Sequence, residues 1–254
     1  MVAAASRAWW DAEADGYQRE HAAALGVSRL VWGPEGRTEE ELGLLGSVAG
    51  LRVVEVGCGA GQVSRWLADH GARAVGVDLS ARQLQHALRL DGEHAGGGAP
   101  PAWIQADAVR LPFADRSFDL AVASYGALQF VAEPGEVHRE VARVLRPGGR
   151  WVFSVTHPIR WAFLDDPGEP GLTAVRPYFD RRPYVERDDA GEVVYVETHR
   201  TLQDLTDDLR TAGFVVERLT EPEWPDGREE AWGPWSPQRG RLIPGTLVVS
   251  ARLP

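Results

Sequence analysis

Three apolar stretches of this chain end on residues that could do chemistry. The first, Val53-Val54-Glu55-Val56-Gly57-Cys58-Gly59-Ala60-Gly61-Gln62, passes from strand-like composition straight into alternating glycines. Glycines at that spacing let a backbone turn tightly and approach a ligand closely, and a helix over Val63–His70 would offer its first N–H groups to a polar or anionic group. The second, Ala74-Val75-Gly76-Val77-Asp78-Leu79-Ser80, ends in an acid. In a doubly wound sheet the carboxyl end of the second strand lies beside a nucleotide ribose, where a carboxylate accepts hydrogen bonds from both hydroxyls. The third, Ile104-Gln105-Ala106-Asp107-Ala108, closes on Asp107. The dinucleotide fingerprint is G-x-G-x-x-G; here the third glycine comes one residue early, and Glu55 stands two residues before the first.

This set resembles motif I and its downstream acids in class I S-adenosylmethionine (SAM)-dependent methyltransferases. Leu145-Arg146-Pro147-Gly148-Gly149 before the apolar run Trp151–Val155 is a frequent companion of that motif in small-molecule methyltransferases of the ubiquinone-biosynthesis type. The match covers 51–156; elsewhere only the order of elements agrees. The resemblance implies SAM as cofactor and S-adenosylhomocysteine as product. It assigns cofactor binding to Glu55, Gly57, Cys58, Gly59, Gly61, Asp78, Leu79, Asp107, Ala108 and Ser124, with Asp107 accepting from the adenine amino group. In related enzymes a Tyr of an N-terminal segment covers the methionine end, and Tyr17 is the natural counterpart.

The elements that must position these residues follow from pattern. Ser80 caps a helix over Ala81–Leu90, and Phe118–Ala123 reads as the fourth strand. A helix runs up to the Pro-Gly-Gly break, and Thr201 caps another over Leu202–Ala212 that Gly213 ends. Phe214–Leu219 and Thr246–Arg252 read as the last two strands, paired antiparallel. The expected fold is α/β, a Rossmann-like doubly wound seven-stranded, mostly parallel sheet with an antiparallel last strand. One methyltransferase domain is expected over 1–254: an N-terminal helical lid (1–50), the SAM-binding core (51–156), a substrate-lid insertion (157–200) and the C-terminal helix with two strands (201–254). Within the insertion, Tyr184-Val185-Glu186 and Val193–Thr198 flank the turn Asp188-Asp189-Ala190-Gly191 as a β-hairpin lid. Trp224, Trp232 and Trp235 belong to a second irregular loop.

A net charge of −10 over 254 residues, with arginines spread along the chain, lacks the basic face of a nucleic-acid binder. No apolar run reaches the length of a membrane span and no leader pattern is present, so a cytoplasmic protein is expected. The single cysteine, Cys58, leaves no internal disulfide and reads as a small residue inside the cofactor turn. No metal is expected, since Ser124-Tyr125-Gly126 lacks the acid that would begin a magnesium site. Partners are a small-molecule substrate and, at most, a second copy of the chain.

The reaction expected is direct displacement of the methyl group onto a small, partly apolar metabolite. It needs alignment, exclusion of water and, for some nucleophiles, a base. Base candidates are His157, directly after the fifth strand, then Tyr125 and His21. Trp161, Phe163, Tyr178, Tyr184 and Tyr195 are the aromatic candidates for the substrate pocket. Two other classes share parts of the pattern. A SAM-binding protein without methyl transfer, a cyclase or a cofactor-sensing subunit, would keep the same glycines and Asp78. A nicotinamide oxidoreductase would keep the acid but not the glycine spacing.

Overall fold

A computed structural model describes residues 2–96 and 98–254. A long helix α1 (Val2–Leu25) and a single turn α2 (Glu39–Leu42) precede an alternation of strands and helices: β1 (Arg52–Val56), α3 (Gln62–Asp69), β2 (Arg73–Asp78), α4 (Ala81–Glu93), β3 (Ala102–Gln105), β4 (Phe118–Ala123), α5 (Pro134–Val144) and β5 (Leu145–Thr156). The hairpin β6 (Tyr184–Arg187) and β7 (Val193–Glu197) follows, then α6 (Leu202–Thr211), β8 (Val215–Thr220), the short α7 (Pro237–Gly240) and β9 (Thr246–Arg252).

Seven strands form one sheet in the order β3-β2-β1-β4-β5-β9-β8. Only β9 runs against the rest, pairing antiparallel with both β5 and β8. Side chains alternate across a strand, so the apolar run of β1 feeds both faces. Val53 joins Leu67, Trp66, Trp32 and Val152 on one side, and Val54 and Val56 join Val141, Leu209 and Phe153 on the other. Chain order reverses between β1 and β4, and α/β sheets place ligands outside the carboxyl ends of strands at such a reversal.

The pattern-based elements recur with small shifts. Ser80 Oγ accepts the Gln83 N–H at the start of α4, and Thr201 forms a capping box with Asp204 on α6. β3 ends at Gln105, so Asp107 stands two residues beyond the strand and not at its end. The Pro-Gly-Gly segment lies inside β5: Phe118 pairs with Leu145, the register then shifts, and pairing resumes at Leu120 with Arg150. Between residues 26 and 50 helix is confined to the one turn α2; a bridge between Val31 and Thr38 orders the loop before it.

Candidate functional site

Each glycine of the β1–α3 turn has its own reason to lack a side chain. A Cβ on Gly57 would lie 2.5 Å from Ala127 Cβ, and one on Gly61 would overlap the Trp103 ring. Gly61 is also the left-handed cap of α3, at φ 78°. Trp103 is held there by its indole N–H, which donates to Asp91 at 2.6 Å, and Asp91 in turn binds the buried Arg65. Gly59 differs. It is left-handed at φ 51°, and a Cβ there would meet only Gln83 Oε1, at 3.8 Å. The space in front of Gly59 belongs to a cleft, and a side chain there would fill what a ligand needs.

That cleft lies at the reversal between β1 and β4, with about 1030 Å³ of space including its mouth. Glu55, Gly57, Cys58, Gly59, Asp78, Leu79, Asp107, Ala108, Ser124 and Tyr17 all line it, so ten of the eleven sequence-derived cofactor positions converge on one site. The eleventh, Gly61, supports the turn from behind. The Asp78 carboxylate accepts the Gly59 N–H and the Ser80 N–H, both at 2.8 Å, one on each oxygen. Burial pushes its pKa up against these bonds. The acid thus ties the glycine turn to the start of α4 and still has a lone pair on each oxygen for a diol. Glu55 is 2 % exposed; burial raises its pKa to about 8, and its one side-chain partner is Ser64, whose hydroxyl donates at 2.5 Å. Burial also raises the Cys58 thiol well above its ordinary value, which disfavours the thiolate that a nucleophile needs.

Sequence reasoning missed how α1 closes the cleft. Gln62 donates to Gln18 at 3.1 Å and Gln18 donates to Gln83 at 3.0 Å, a chain of three buried amides joining α1, α3 and α4 across the opening. Next to it Asp11 accepts the Ser80 hydroxyl at 2.6 Å, and Asp15 takes Arg82 bidentately. Asp11, Asp15 and Gln18 fall on one helical face, at i, i+4 and i+7, which was the available signal. Tyr17 sits on the cleft side of α1, edge-on to Trp10 and His21, and burial pushes its hydroxyl up to about 12.

The base candidates do not share this cleft. His157 lines a second cavity with Gln129, Arg160 and His199. Its Nδ1 accepts the Ile159 N–H at 3.1 Å, capping the helical turn 158–162, while Nε2 lies 2.9 Å from Glu221 Oε1. Burial lowers its pKa against the pull of Glu221. Tyr125 is left-handed at φ 60°, its N–H held by Ser154 Oγ at 2.8 Å, and burial beside Thr156 and Trp235 raises its hydroxyl. His21 stacks flat on Trp232 at 4.4 Å, outside the cleft lining.

Of the substrate candidates, Trp161, Tyr184 and Tyr195 line a third cavity, with about 960 Å³ of space including its mouth, together with Trp9, Arg160, Arg176 and the acids Asp165, Glu186 and Glu197. The β6–β7 register pairs Tyr184 with Glu197 and Glu186 with Tyr195, so one hairpin face carries both tyrosines and both glutamates. Trp9 and Tyr195 meet at 5.1 Å, and Phe130 of the cofactor cleft packs on both, so one aromatic wall separates the two cavities. Tyr178 and Phe163 lie outside that cavity; Tyr178 Oη accepts the Leu202 N–H and its ring packs on His199. Among the described residues no three or more His, Cys, Asp or Glu side chains are grouped to hold a metal ion, and no helix is long and apolar enough to cross a membrane.

The family profile described as a methyltransferase domain matches residues 54–153. A solved S-adenosylmethionine-dependent methyltransferase from Mesorhizobium loti is 33% identical to this chain, covering 83% of it and 94% of its own length, with a TM-score of 0.66. A ubiquinone biosynthesis O-methyltransferase of Bordetella avium is 34% identical over 148 residues, 58% of this chain and 55% of its own. A demethylmenaquinone methyltransferase of Clavibacter sepedonicus is 40% identical over 106 residues, 42% of this chain and 41% of its own. The chain thus spans about half the length of the curated relatives it matches.

Proposed function

Because the chain belongs to the S-adenosylmethionine-dependent methyltransferases, we propose that it transfers the methyl group of SAM to a small, partly apolar metabolite by direct displacement. The observation that carries this reading is the convergence of the glycine turn, Asp78, Asp107 and Tyr17 on one cleft beneath α1. The residues fit the cofactor. The empty space at Gly59 admits close approach, the free lone pairs of Asp78 suit a ribose diol, and Leu79, Ala106 and Ala108 offer apolar walls for an adenine whose amino group Asp107 accepts.

When bound, SAM supplies a methyl group already activated by its sulfonium. What remains for the chain is to bind, orient and dry the site. Asp78 and the Gly57–Gly61 turn fix the nucleoside end. Tyr17 and Trp10, carried by α1, cover the other end and exclude water, and the Gln18–Gln62–Gln83 amides hold α1 closed. We assign 1–50 and 157–200 to the lid, since α1 and the hairpin meet through Trp9 and Tyr195 beside the cleft, against its lining residue Phe130. No proton is routed through His157, whose ring is committed to the turn after β5. Nor is one routed through His21, stacked against Trp232. Tyr125, with its hydroxyl buried, is given a positioning role at the end of β4. The relatives named for quinone biosynthesis favour a flat, partly apolar acceptor.

The test is incubation of the pure protein with methyl-labelled SAM and a fractionated extract of small molecules. Label should appear in a small-molecule fraction in step with S-adenosylhomocysteine formation. Binding of SAM without any transfer across the extract would leave the non-transferring reading of the same fold.

A further inference from the structure

Among the described residues the cofactor cleft is lined by three acids, Glu55, Asp78 and Asp107, and by one base, Arg29. The charges are sorted. Asp78 ends β2 and Asp107 follows β3, the strands on one side of β1 in the sheet, and these are the acids assigned to the adenosine. Arg29 belongs to the other side. Two residues after it, the Val31 carbonyl accepts the hydroxyl of Ser124, which follows β4, the opposite neighbour of β1, and both Val31 and Ser124 line the cleft. Arg29 is also held without being used up. Gly26, left-handed at φ 64°, ends α1 and turns the chain, and Arg29 Nη1 donates to the Ala24 carbonyl in the last turn of that helix at 3.1 Å. That is its one side-chain hydrogen bond, and it has no salt-bridge partner, among the described residues, so its remaining N–H donors are available to a ligand.

We propose that Arg29 binds the carboxylate of the methionine portion of SAM and is the residue by which the cleft tells SAM from adenosine derivatives that lack this group. The inference rests on the reading of the cleft as a SAM site and adds to it the one charge that reading leaves unmatched. With the adenosine on the side of Asp78 and Asp107, the amino-acid end extends past the glycine turn toward β4. A carboxylate there meets a cleft whose other charged side chains are acids, and each of them opposes it. A planar guanidinium answers that need, since it pairs a carboxylate through two parallel N–H bonds. Gln62 and Val63, the first residues of α3, also line the cleft and add the positive end of that helix. Arg29 itself is exposed, at the rim, so water weakens the pair and the expected effect is moderate.

The experiment is a calorimetric cycle of two ligands against three proteins. The ligands are S-adenosylhomocysteine and its decarboxylated form, which keeps the adenosine, thioether and amine and lacks only the carboxylate; the proteins are wild type, Arg29→Gln and Arg29→Lys. Wild type should bind S-adenosylhomocysteine at least about 5-fold more tightly than the decarboxylated ligand. Arg29→Gln should lose most of that preference by weakening S-adenosylhomocysteine alone, with the decarboxylated ligand held within about 2-fold of its wild-type affinity, and Arg29→Lys should keep part of the preference as a point charge would. The decarboxylated ligand also reports that the variant cleft is intact. An unchanged preference in Arg29→Gln, an equal loss for both ligands, or no preference in wild type would overturn the assignment of Arg29 while leaving the cleft a SAM site. Wild-type protein that binds neither ligand would overturn the SAM reading, and the assignment with it.

Discussion

Asp78 and the glycines before it show how far single residues could be read. An acid at the end of the second strand is legible as a ribose clamp because strand order and spacing place it. Its second task, tying the Gly59 and Ser80 amides, was not legible, because it depends on how two loops meet in space. The consequence is measurable. Asp78→Asn should weaken SAM binding by about 10- to 100-fold, since one charge-assisted bond is worth about 1.5–3 kcal/mol. It should also lower stability by about 1–3 kcal/mol in urea unfolding, because one backbone N–H then faces an amide donor. Gly61→Ala should do the opposite, costing about 2–4 kcal/mol of stability from overlap with Trp103 and a left-handed φ, yet leaving any SAM affinity of the folded fraction nearly intact. His157 was read as a base from its place after β5, but the ring caps the following turn. His157→Asn should therefore keep turnover within a few-fold of wild type in the labelled-methyl assay, and a loss of about 10²-fold or more would restore it as a base.

At the scale of elements, apolar runs, caps and breaks located most strands closely, though β5 begins at Leu145, six residues before the apolar run Trp151–Val155, and the β6–β7 hairpin followed from alternation around Asp188-Asp189-Ala190-Gly191. The pieces that escaped are those whose form depends on partners. Asp107 falls past the end of β3, Pro147-Gly148-Gly149 is absorbed into β5 by a register shift, and the loop after α1 is ordered by one bridge and not by helix. The polar face Asp11, Asp15 and Gln18 of α1 was the one legible sign of the strap; its partners Gln62 and Gln83 lie far away in sequence and carry no local signal of the amide chain. Gln18→Ala removes two of its hydrogen bonds, each worth about 1 kcal/mol. Hydrogen exchange of α1 in the cofactor-free variant should accordingly be about 10-fold faster or more than in wild type, with α4 unchanged. Equal protection of α1 in both would mean the strap is held elsewhere. The backbone of 157–200 should gain protection only when S-adenosylhomocysteine and an acceptor are bound together, as a closing lid requires.

For the whole molecule, the doubly wound order and the cleft at its reversal were readable from the succession of strands and helices. The balance of buried charge was not. His138 is fully buried, accepts the Trp151 indole N–H on Nδ1, and burial holds its pKa down at about 3. The unfolded chain takes up that proton near pH 6.5, so below that pH the folded state loses about 1.4 kcal/mol per pH unit until its own pKa is reached. Glu55 works in the opposite sense: with its pKa raised to about 8, the advantage of its protonated form is full below about pH 4.5 and is lost as pH rises through 8. A difference between variants separates the two. The stability of His138→Gln relative to wild type should rise by about 2 kcal/mol between pH 7 and pH 5, and a flat difference would place the acid sensitivity elsewhere. The central claim, that the cleft beneath α1 is built for SAM, is tested most directly by calorimetric titration of wild type and Gly59→Ala with S-adenosylhomocysteine and with NAD. The account predicts one-to-one binding of S-adenosylhomocysteine to wild type, no competition from NAD, and at least about 10-fold weaker binding to a Gly59→Ala protein that still unfolds cooperatively. Undiminished affinity in that variant, or displacement of S-adenosylhomocysteine by NAD, would contradict it.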